Sequence, residues 1–192
     1  MMIAVLAFLI DTVIGDPNSR LHPVALIGKL ISFLEHLLYP EKAGSTKKLA
    51  AGGVLVVLVL LVTGIVIYGI VYLSAFIRFP WGTELLQAFL LSFTISPKSL
   101  AQAGREIFTL LVHQKLGKAR EKVGWIVGRD TDKLDAPEVV RATVETIAEN
   151  TSDGIIAPLF FFAIGGVPLA MLYRAVNTMD SMIAYKNDRY LY

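Results

Sequence analysis

The chain contains, at residues 49–77, the run LAAGGVLVVLVLLVTGIVIYGIVYLSAFI, which is 29 residues long and holds no charged side chain. At 1.5 Å per residue, a helix of this length extends about 43 Å, more than the roughly 30 Å hydrocarbon core of a bilayer. A buried helix of a soluble protein seldom reaches such a length. The run therefore predicts a tilted or overlong transmembrane helix.

The composition of the 192 residues agrees with a membrane protein of one domain. Charged residues make up 18% of the chain, whereas soluble domains average about 25%. The absence of cysteine excludes disulfides, thiolate nucleophiles and iron–sulfur clusters. No P-loop or HExxH motif is present, and a net charge of +2 gives no reason to expect nucleic acid as a partner.

Basic residues on both sides of the apolar run indicate its orientation. Lys47 and Lys48 precede it, and the turn-forming segment 78–82 follows it with few other charges nearby. Further basic residues follow in 96–153. Because basic flanks prefer the cytoplasm, we expect a hairpin of 49–77 and the shorter 85–95, with its tip outside.

The remaining segments complete an all-α, polytopic integral membrane protein with amphipathic or cytoplasmic helices. We expect one membrane domain, 1–192, with an N-terminal apolar helix at 2–14, a polar helical region at 96–153, and a broken apolar helix with a polar motif at 155–190. The sequence predicts three helices in the polar segments. An amphipathic helix covers 24–38, Ser96 is the expected N-cap of a second, and Asp135 and Glu138 form a capping-box pattern for a third that ends near Asn150.

The segment 155–173 is uncharged but interrupted by Pro158, Gly165, Gly166 and Pro168. Two arms of nine residues reach only about 14 Å each, roughly half of the bilayer core. We therefore expect a re-entrant hairpin rather than a straight crossing. Such a hairpin returns the residues after 173 to the side of those before 155.

Polar residues flank this segment on both sides. Before it, Arg141, Glu145 and Glu149 recur at helical spacing, which fits either a solvated face or a site, and Asn150 and Asp153 follow. After it, one helical side carries a second polar set, which fits either a helix end in water or a site: Arg174, Asn177 and Asp180. Carboxylate and amide oxygens suit Mg²⁺, and arginine suits phosphate.

These residues stand in an order that resembles a known family. The order includes Arg141-Ala-Thr-Val-Glu-Thr-Ile-Ala-Glu-Asn-Thr-Ser-Asp-Gly154, Ala157-Pro-Leu-Phe160 and Tyr173-Arg-Ala-Val-Asn-Thr-Met-Asp-Ser181, after Asp11, Gly15-Asp16-Pro17, His22-Pro23 and Ile27-Gly28. It closely resembles the CbiB/CobD family of cobalamin biosynthesis, the adenosylcobinamide-phosphate synthases. The similarity is dense in 129–190 and weaker in 40–100. Members of that family are longer, so we expect this chain to lack their C-terminal part.

The resemblance implies a multi-pass enzyme of the cell membrane with its polar site facing the cytoplasm. Such an enzyme joins adenosylcobyric acid, a corrinoid, to aminopropanol phosphate by an amide bond, with ATP and Mg²⁺, alongside other membrane enzymes of the corrin pathway. The candidate residues are Glu145, Glu149 and Asp153 for catalysis, Arg129, Arg141, Asn150, Arg174 and Asn177 for substrate or phosphate, and Asp180 with Glu149 for metal. Two alternatives remain open: a non-catalytic inner-membrane sensor or accessory protein of the AmpE type, and a small-molecule transporter.

Overall fold

The computed structural model describes residues 1–15, 19, 21–40, 44–128, 130–185, 187 and 189–191. In this part of the chain the regular structure is entirely helical, which confirms the predicted all-α class. The helices are α1 (Met2–Ile14), α2 (Pro23–Leu38), α3 (Ser45–Ser74), α4 (Gly82–Ser92), α5 (Pro97–Val112), α6 (Leu116–Gly124), α7 (Ala136–Thr151) and α8 (Ala157–Ile183), with a π-helical turn, Ser152–Ile156, between α7 and α8.

Helices α1 to α4 and α8 share one hydrophobic core and are called the apolar bundle below. Helix α3 packs against α2 and α8, and α1 packs against α4. The largest fully buried side chains of this core include Ile31, Val59, Leu91 and Met171. The apolar bundle thus collects the N-terminal helices and the C-terminal helix around α3.

The outer face of α3 is as apolar as its inner face. Leu61, Ile65 and Tyr72 are 54%, 71% and 69% exposed. By length and composition alone, α3 and the segment Ala136–Ile183, which is interrupted at Gly165 and Gly166, are each long and apolar enough to cross a membrane. A long helix with apolar residues all round is typical of a membrane span.

Helices α5 to α7 form a second, polar bundle with a small core of its own. That core contains Ile107, Val123 and Val139. The predicted capping box at the start of α7 is present. The Asp135 carboxylate accepts from the Glu138 N–H at 2.9 Å, and the Glu138 carboxylate accepts from the Asp135 N–H at 3.2 Å.

The expectation that the third helix runs to about Asn150 is confirmed, because α7 ends at Thr151; what the sequence did not predict is that the chain continues directly through the π-helical turn into α8. Pro158 has no N–H to donate to the Gly154 carbonyl four residues earlier. That carbonyl instead accepts a hydrogen bond from the Ser96 N–H of a different segment, at 3.0 Å. The outside donor lets the helical path continue at the position where the sequence indicated its end.

The predicted break within 155–173 lies at two glycines. Gly165 has φ −139° and ψ 22°, and Gly166 has φ 66° and ψ −163°, a conformation that is essentially limited to glycine. The rings of Phe161 and Tyr173 stack with centroids 4.9 Å apart. On a continuous helix, residues twelve apart are separated by about 18 Å. The chain therefore folds back on itself, and α8 is a hairpin with arms 157–164 and 167–183.

The second arm of this α8 hairpin is longer than the nine residues expected. Helical structure does not stop at Tyr173 but continues to Ile183, so the arm extends about 25 Å at 1.5 Å per residue. Ala175 and Met179 are buried in the apolar bundle. Their burial explains the extension, because the polar residues of this arm share a helix with core residues.

Candidate functional site

The start of α5 is held by a carboxylate from another helix. Asp11, in α1, is only 2% exposed, and its Oδ2 accepts from the Lys98 N–H at 2.9 Å. The first N–H groups of a helix have no partner within the helix, and a negative charge there is stabilising. Ser96 occupies the N-cap position as expected, but its side chain makes no capping bond. Asp11 supplies the cap across the interface between α1 and α5.

The Lys98 side chain returns the contact to α1. Its Nζ donates to the Val13 carbonyl at 2.6 Å. Its stem lies against Gly15, where an added Cβ would come within 2.8 Å of Lys98 Cδ. Gly15 also has φ +71°, a conformation that L side chains rarely adopt. Glycine at this position is thus needed both for the backbone and for the lysine stem.

A third segment meets the start of α5 at Gly154. The Ser96 N–H donates to its carbonyl, and a Cβ at Gly154 would lie 2.8 Å from Ser96 Oγ. The two motifs that contain Gly15 and Gly154 are distant in sequence but meet at one place. We call this place the α5 junction, and it consists of Asp11, Gly15, Ser96, Lys98 and Gly154.

His22 lies near the same region. Its Nδ1 accepts from the Val24 N–H at 3.3 Å and thereby caps α2. Its ring packs edge-on against Phe93, with centroids 4.9 Å apart. Because Phe93 precedes Ser96 by three residues, the His22-Pro23 motif is placed beside the segment that leads into the α5 junction.

The α8 hairpin brings the second polar set back toward the first. Asp153, Arg174 and Asp180 all lie close enough to the Tyr173 hydroxyl to act on it electrostatically. On a continuous helix, Asp153 and Tyr173 would be about 30 Å apart. Arg174 Nη1 also donates to Asn177 Oδ1 at 3.1 Å, so these two predicted substrate residues are neighbours. We call Asp153, Tyr173, Arg174, Asn177 and Asp180 the Tyr173 cluster.

Other predicted residues lie on the outer face of α7. Arg141 Nε and Glu145 Oε1 are 3.8 Å apart, with side chains 63% and 58% exposed. This arrangement matches the solvated pair that the spacing also allowed, and such exposed pairs contribute little to stability. Glu149 is exposed, and Asn150 donates from its side chain to the Thr146 carbonyl at 2.9 Å. Arg129 lies outside the described residues.

The metal assignment stays a prediction. Among the described residues, no group of three or more His, Asp or Glu side chains is arranged to hold a metal ion. The carboxylates of Asp153 and Asp180 are nevertheless oxygen donors of the type that a hard divalent cation prefers. Both carboxylates act electrostatically on the Tyr173 hydroxyl, so the fit to Mg²⁺ is one of donor type.

Sequence reasoning did not assign Asp11, Ser96, Lys98 or Tyr173 to the site. One of these had a recognisable signal, because Asp11 is the single charged residue in the apolar stretch 2–14. An ionisable residue in an apolar helix usually has a partner or a function. Lys98 had no such signal, since it looked like an ordinary residue in the first turn of an amphipathic helix.

Comparison with known proteins agrees with the order of motifs. A family model described as "CobD/Cbib protein" matches residues 4–192. The chain is 44% identical over 185 residues to the cobalamin biosynthesis protein CbiB of Salmonella typhi, and 46% identical over 184 residues to the cobalamin biosynthesis protein CobD of Listeria monocytogenes serotype 4b. Each match covers 96% of this chain and 58% of the relative. No solved structure matches.

Proposed function

The chain belongs to the CobD/CbiB family, and on that premise we propose that it acts in cobalamin biosynthesis as an amide-forming ligase. Its substrates would be adenosylcobyric acid, aminopropanol phosphate and ATP, and its product adenosylcobinamide phosphate. The chain spans 58% of the length of the curated relatives it matches. The observation that supports a catalytic site here is the convergence of separate motifs at the α5 junction, with the second polar set folded back beside Asp153.

The reaction defines what the site has to provide. A carboxylate acylates an amine only after one of its oxygens has become a leaving group. Transfer of the γ-phosphoryl group from ATP to the carboxylate gives an acyl phosphate and ADP. The amine then attacks the acyl carbon, the amide bond forms, phosphate leaves, and the amine nitrogen loses a proton. The site needs cations that stabilise the phosphoryl group and a base for that proton.

The geometry ranks the candidate residues for these roles. Asp153 is half-buried and acts electrostatically on the Tyr173 hydroxyl, whereas Glu145 lies on an exposed face beside Arg141. We therefore propose Asp153 as the base. Arg174, oriented by its hydrogen bond to Asn177, is the proposed contact to phosphate. Asp180, with Glu149, would hold Mg²⁺, which when bound neutralises phosphate charge.

We also propose which surfaces of the chain contact the membrane. The apolar outer face of α3 would contact lipid, and the α8 hairpin would enter the bilayer beside it. An apolar groove of about 910 Å³ runs along the contact between α3 and the hairpin and is lined in part by Leu61, Phe161 and Tyr173. The basic flanks support a cytoplasmic position for the polar bundle and the Tyr173 cluster, where ATP would be available.

The test is product formation by membranes that contain the chain. They are incubated with adenosylcobyric acid, aminopropanol phosphate and Mg-ATP, and adenosylcobinamide phosphate is measured by mass spectrometry. Membranes with the Salmonella typhi relative serve as the reference. We expect product from the chain, a large loss in Asp153→Asn, and no loss in Glu121→Gln, which changes an exposed side chain of α6. No product from the chain, where the relative forms it, contradicts the proposal. Full activity of Asp153→Asn contradicts the assigned base.

A further inference from the structure

The apolar groove between α3 and the α8 hairpin continues toward the start of α3. Val176 lines both the cavity of about 910 Å³ described above and an adjoining cavity of about 350 Å³. The adjoining cavity lies between Gly52 and Gly53 of α3 and Asp180 of α8. The two cavities together are called the α3–α8 groove below.

The α3–α8 groove is long enough for an acyl chain. Its lining on α3 extends from Leu49 to Tyr68, about 28 Å at 1.5 Å per residue. One leaflet of the hydrocarbon core is roughly 15 Å thick. The groove is open at its side, because Leu61 and Ile65 on its wall are largely exposed. An acyl chain of one leaflet can therefore lie along the groove.

One end of the α3–α8 groove carries a charge. Among the described residues that line it, Asp180 alone is charged, and no ion pair with its carboxylate is present in the described part of the chain. Lys48 precedes Gly52 by four residues, about 6 Å along α3, and both border a further cavity of about 60 Å³. Asp180 thus lies where the apolar run begins, at the level of the lipid headgroups. A carboxylate beside apolar helix surfaces in a membrane usually has a cationic partner.

A second groove on α3 provides an internal comparison. A cavity of about 320 Å³ lies between α3 and α2, is lined in part by Leu30, Val66 and Ile70, and is called the α2–α3 groove below. The described residues that line it include no charged side chain. Lipid can contact this groove, but nothing charged in its lining selects a headgroup.

We propose that the α3–α8 groove binds a phospholipid with a primary-amine headgroup, whose acyl chain lies along the groove and whose ammonium contacts Asp180. An ammonium has three N–H donors for a carboxylate, and such charge-assisted hydrogen bonds are stronger than neutral ones. The quaternary nitrogen of a choline headgroup has no N–H donor. The lipid phosphate lies toward Lys47 and Lys48, which carry the opposite charge. This site goes beyond the proposed function, in which Asp180 is a Mg²⁺ ligand, and metal and ammonium compete for the one carboxylate.

The first experiment measures which lipid occupies each groove. The chain is placed in phosphatidylcholine nanodiscs with a small fraction of photoreactive lipid, which has either an ethanolamine or a choline headgroup on the same acyl chains. The buffer contains EDTA, so that no divalent cation competes for Asp180. After illumination, mass spectrometry locates the labels. Those in 49–57 and 172–183 report the α3–α8 groove, and those in 23–30 report the α2–α3 groove.

We expect the ethanolamine lipid to label the α3–α8 groove about threefold more than the choline lipid, an effect of the size expected of an exposed ion pair. The two lipids should label the α2–α3 groove equally. Equal labelling of the α3–α8 groove overturns the proposal. Weak labelling of that groove by both lipids, with disulfide cross-linking of Leu61→Cys between two copies of the chain, identifies a second copy as the occupant and also overturns it.

This readout needs no amide product, so it is independent of the proposed reaction. A headgroup preference in a chain that forms no product keeps the lipid site and removes the ligase function. Product formation without a headgroup preference keeps the ligase and removes the lipid site.

Substitutions assign the preference to the carboxylate and to the cavity. Asp180→Asn should be labelled equally by both lipids, whereas Asp180→Glu keeps the carboxylate and should keep the preference. Gly53→Leu fills the cavity at a position where an added Cβ meets no atom within 4 Å, and should lower the ethanolamine label to the level of the choline label. Gly69→Leu, an equally open position outside both grooves, should change neither label. Unchanged labelling of the α2–α3 groove shows that each variant is folded. A preference that survives Asp180→Asn overturns the proposal.

Discussion

Replacing Gly154 by alanine tests the contact that joins the middle motif to α5. The new Cβ would lie 2.8 Å from Ser96 Oγ, closer than such carbon atoms approach in folded proteins. The hydrogen bond from the Ser96 N–H to the Gly154 carbonyl, 3.0 Å long, keeps the two backbones from moving apart. Overpacking of this kind costs about 1–3 kcal/mol, and alanine regains up to about 1 kcal/mol of helix propensity. The net expectation is a loss of about 1 kcal/mol.

A double variant isolates the cause. Ser96→Ala removes Oγ, whose side chain makes no capping bond, and leaves the main-chain hydrogen bond in place. The Ser96→Ala/Gly154→Ala chain should therefore regain at least the stability lost in the single variant. For a chain of this size, 1 kcal/mol corresponds to about 2–4 °C in melting temperature, measured in detergent by circular dichroism. Gly69→Ala, at a position with no atom within 4 Å of the new Cβ, should not destabilise. A double variant that melts no higher than Gly154→Ala refutes the steric argument.

Three further outcomes follow from the same structure. Gly166→Ala should lower stability by about 1–3 kcal/mol, because φ 66° with ψ −163° strains any other residue. An unchanged melting temperature would contradict the tight turn at this position. The hydrogen bond that the Tyr190 hydroxyl donates to Glu35 raises the pKa of Tyr190. Its stabilisation is therefore full below the unfolded pKa of about 10 and is lost as pH rises through the folded pKa. As pH rises above about 10, wild type should lose melting temperature more steeply than Tyr190→Phe, and parallel curves would contradict this. Phe161→Cys with Tyr173→Cys in this cysteine-free chain should cross-link on oxidation, whereas Phe160→Cys with Tyr173→Cys should cross-link much less.

The fold was largely predictable because its strongest signals are local. The run 49–77 is too long and too apolar for most alternatives, and α3 covers most of it at Ser45–Ser74. Gly165 and Gly166 with Pro168 indicated the break as a turn signal, and Gly166 has the positive φ that favours glycine. The capping box of Asp135 and Glu138 is likewise contained within four residues.

The site was only partly predictable because its contacts join distant segments. Asp11 and Lys98 are 87 residues apart, and nothing in the sequence near either residue indicates the other. The π-helical link between α7 and α8 was missed for the same reason, since the donor to the Gly154 carbonyl comes from Ser96. Spacing correctly grouped Arg174 with Asn177, which share a helical face. It could not decide between site and solvated face for Arg141 and Glu145, because that decision depends on burial.

The distance between residues 152 and 181 tests most directly whether the α8 hairpin unites the two polar sets. Spin labels at Ser152→Cys and Ser181→Cys, both exposed positions, are measured by pulsed electron paramagnetic resonance in lipid nanodiscs. The stacking of Phe161 on Tyr173 sets a register that places these residues almost opposite each other across the turn. We expect a distance below about 25 Å. A distribution centred near 44 Å, the length of a continuous helix of 29 residues at 1.5 Å each, would separate the two sets and contradict the composite site.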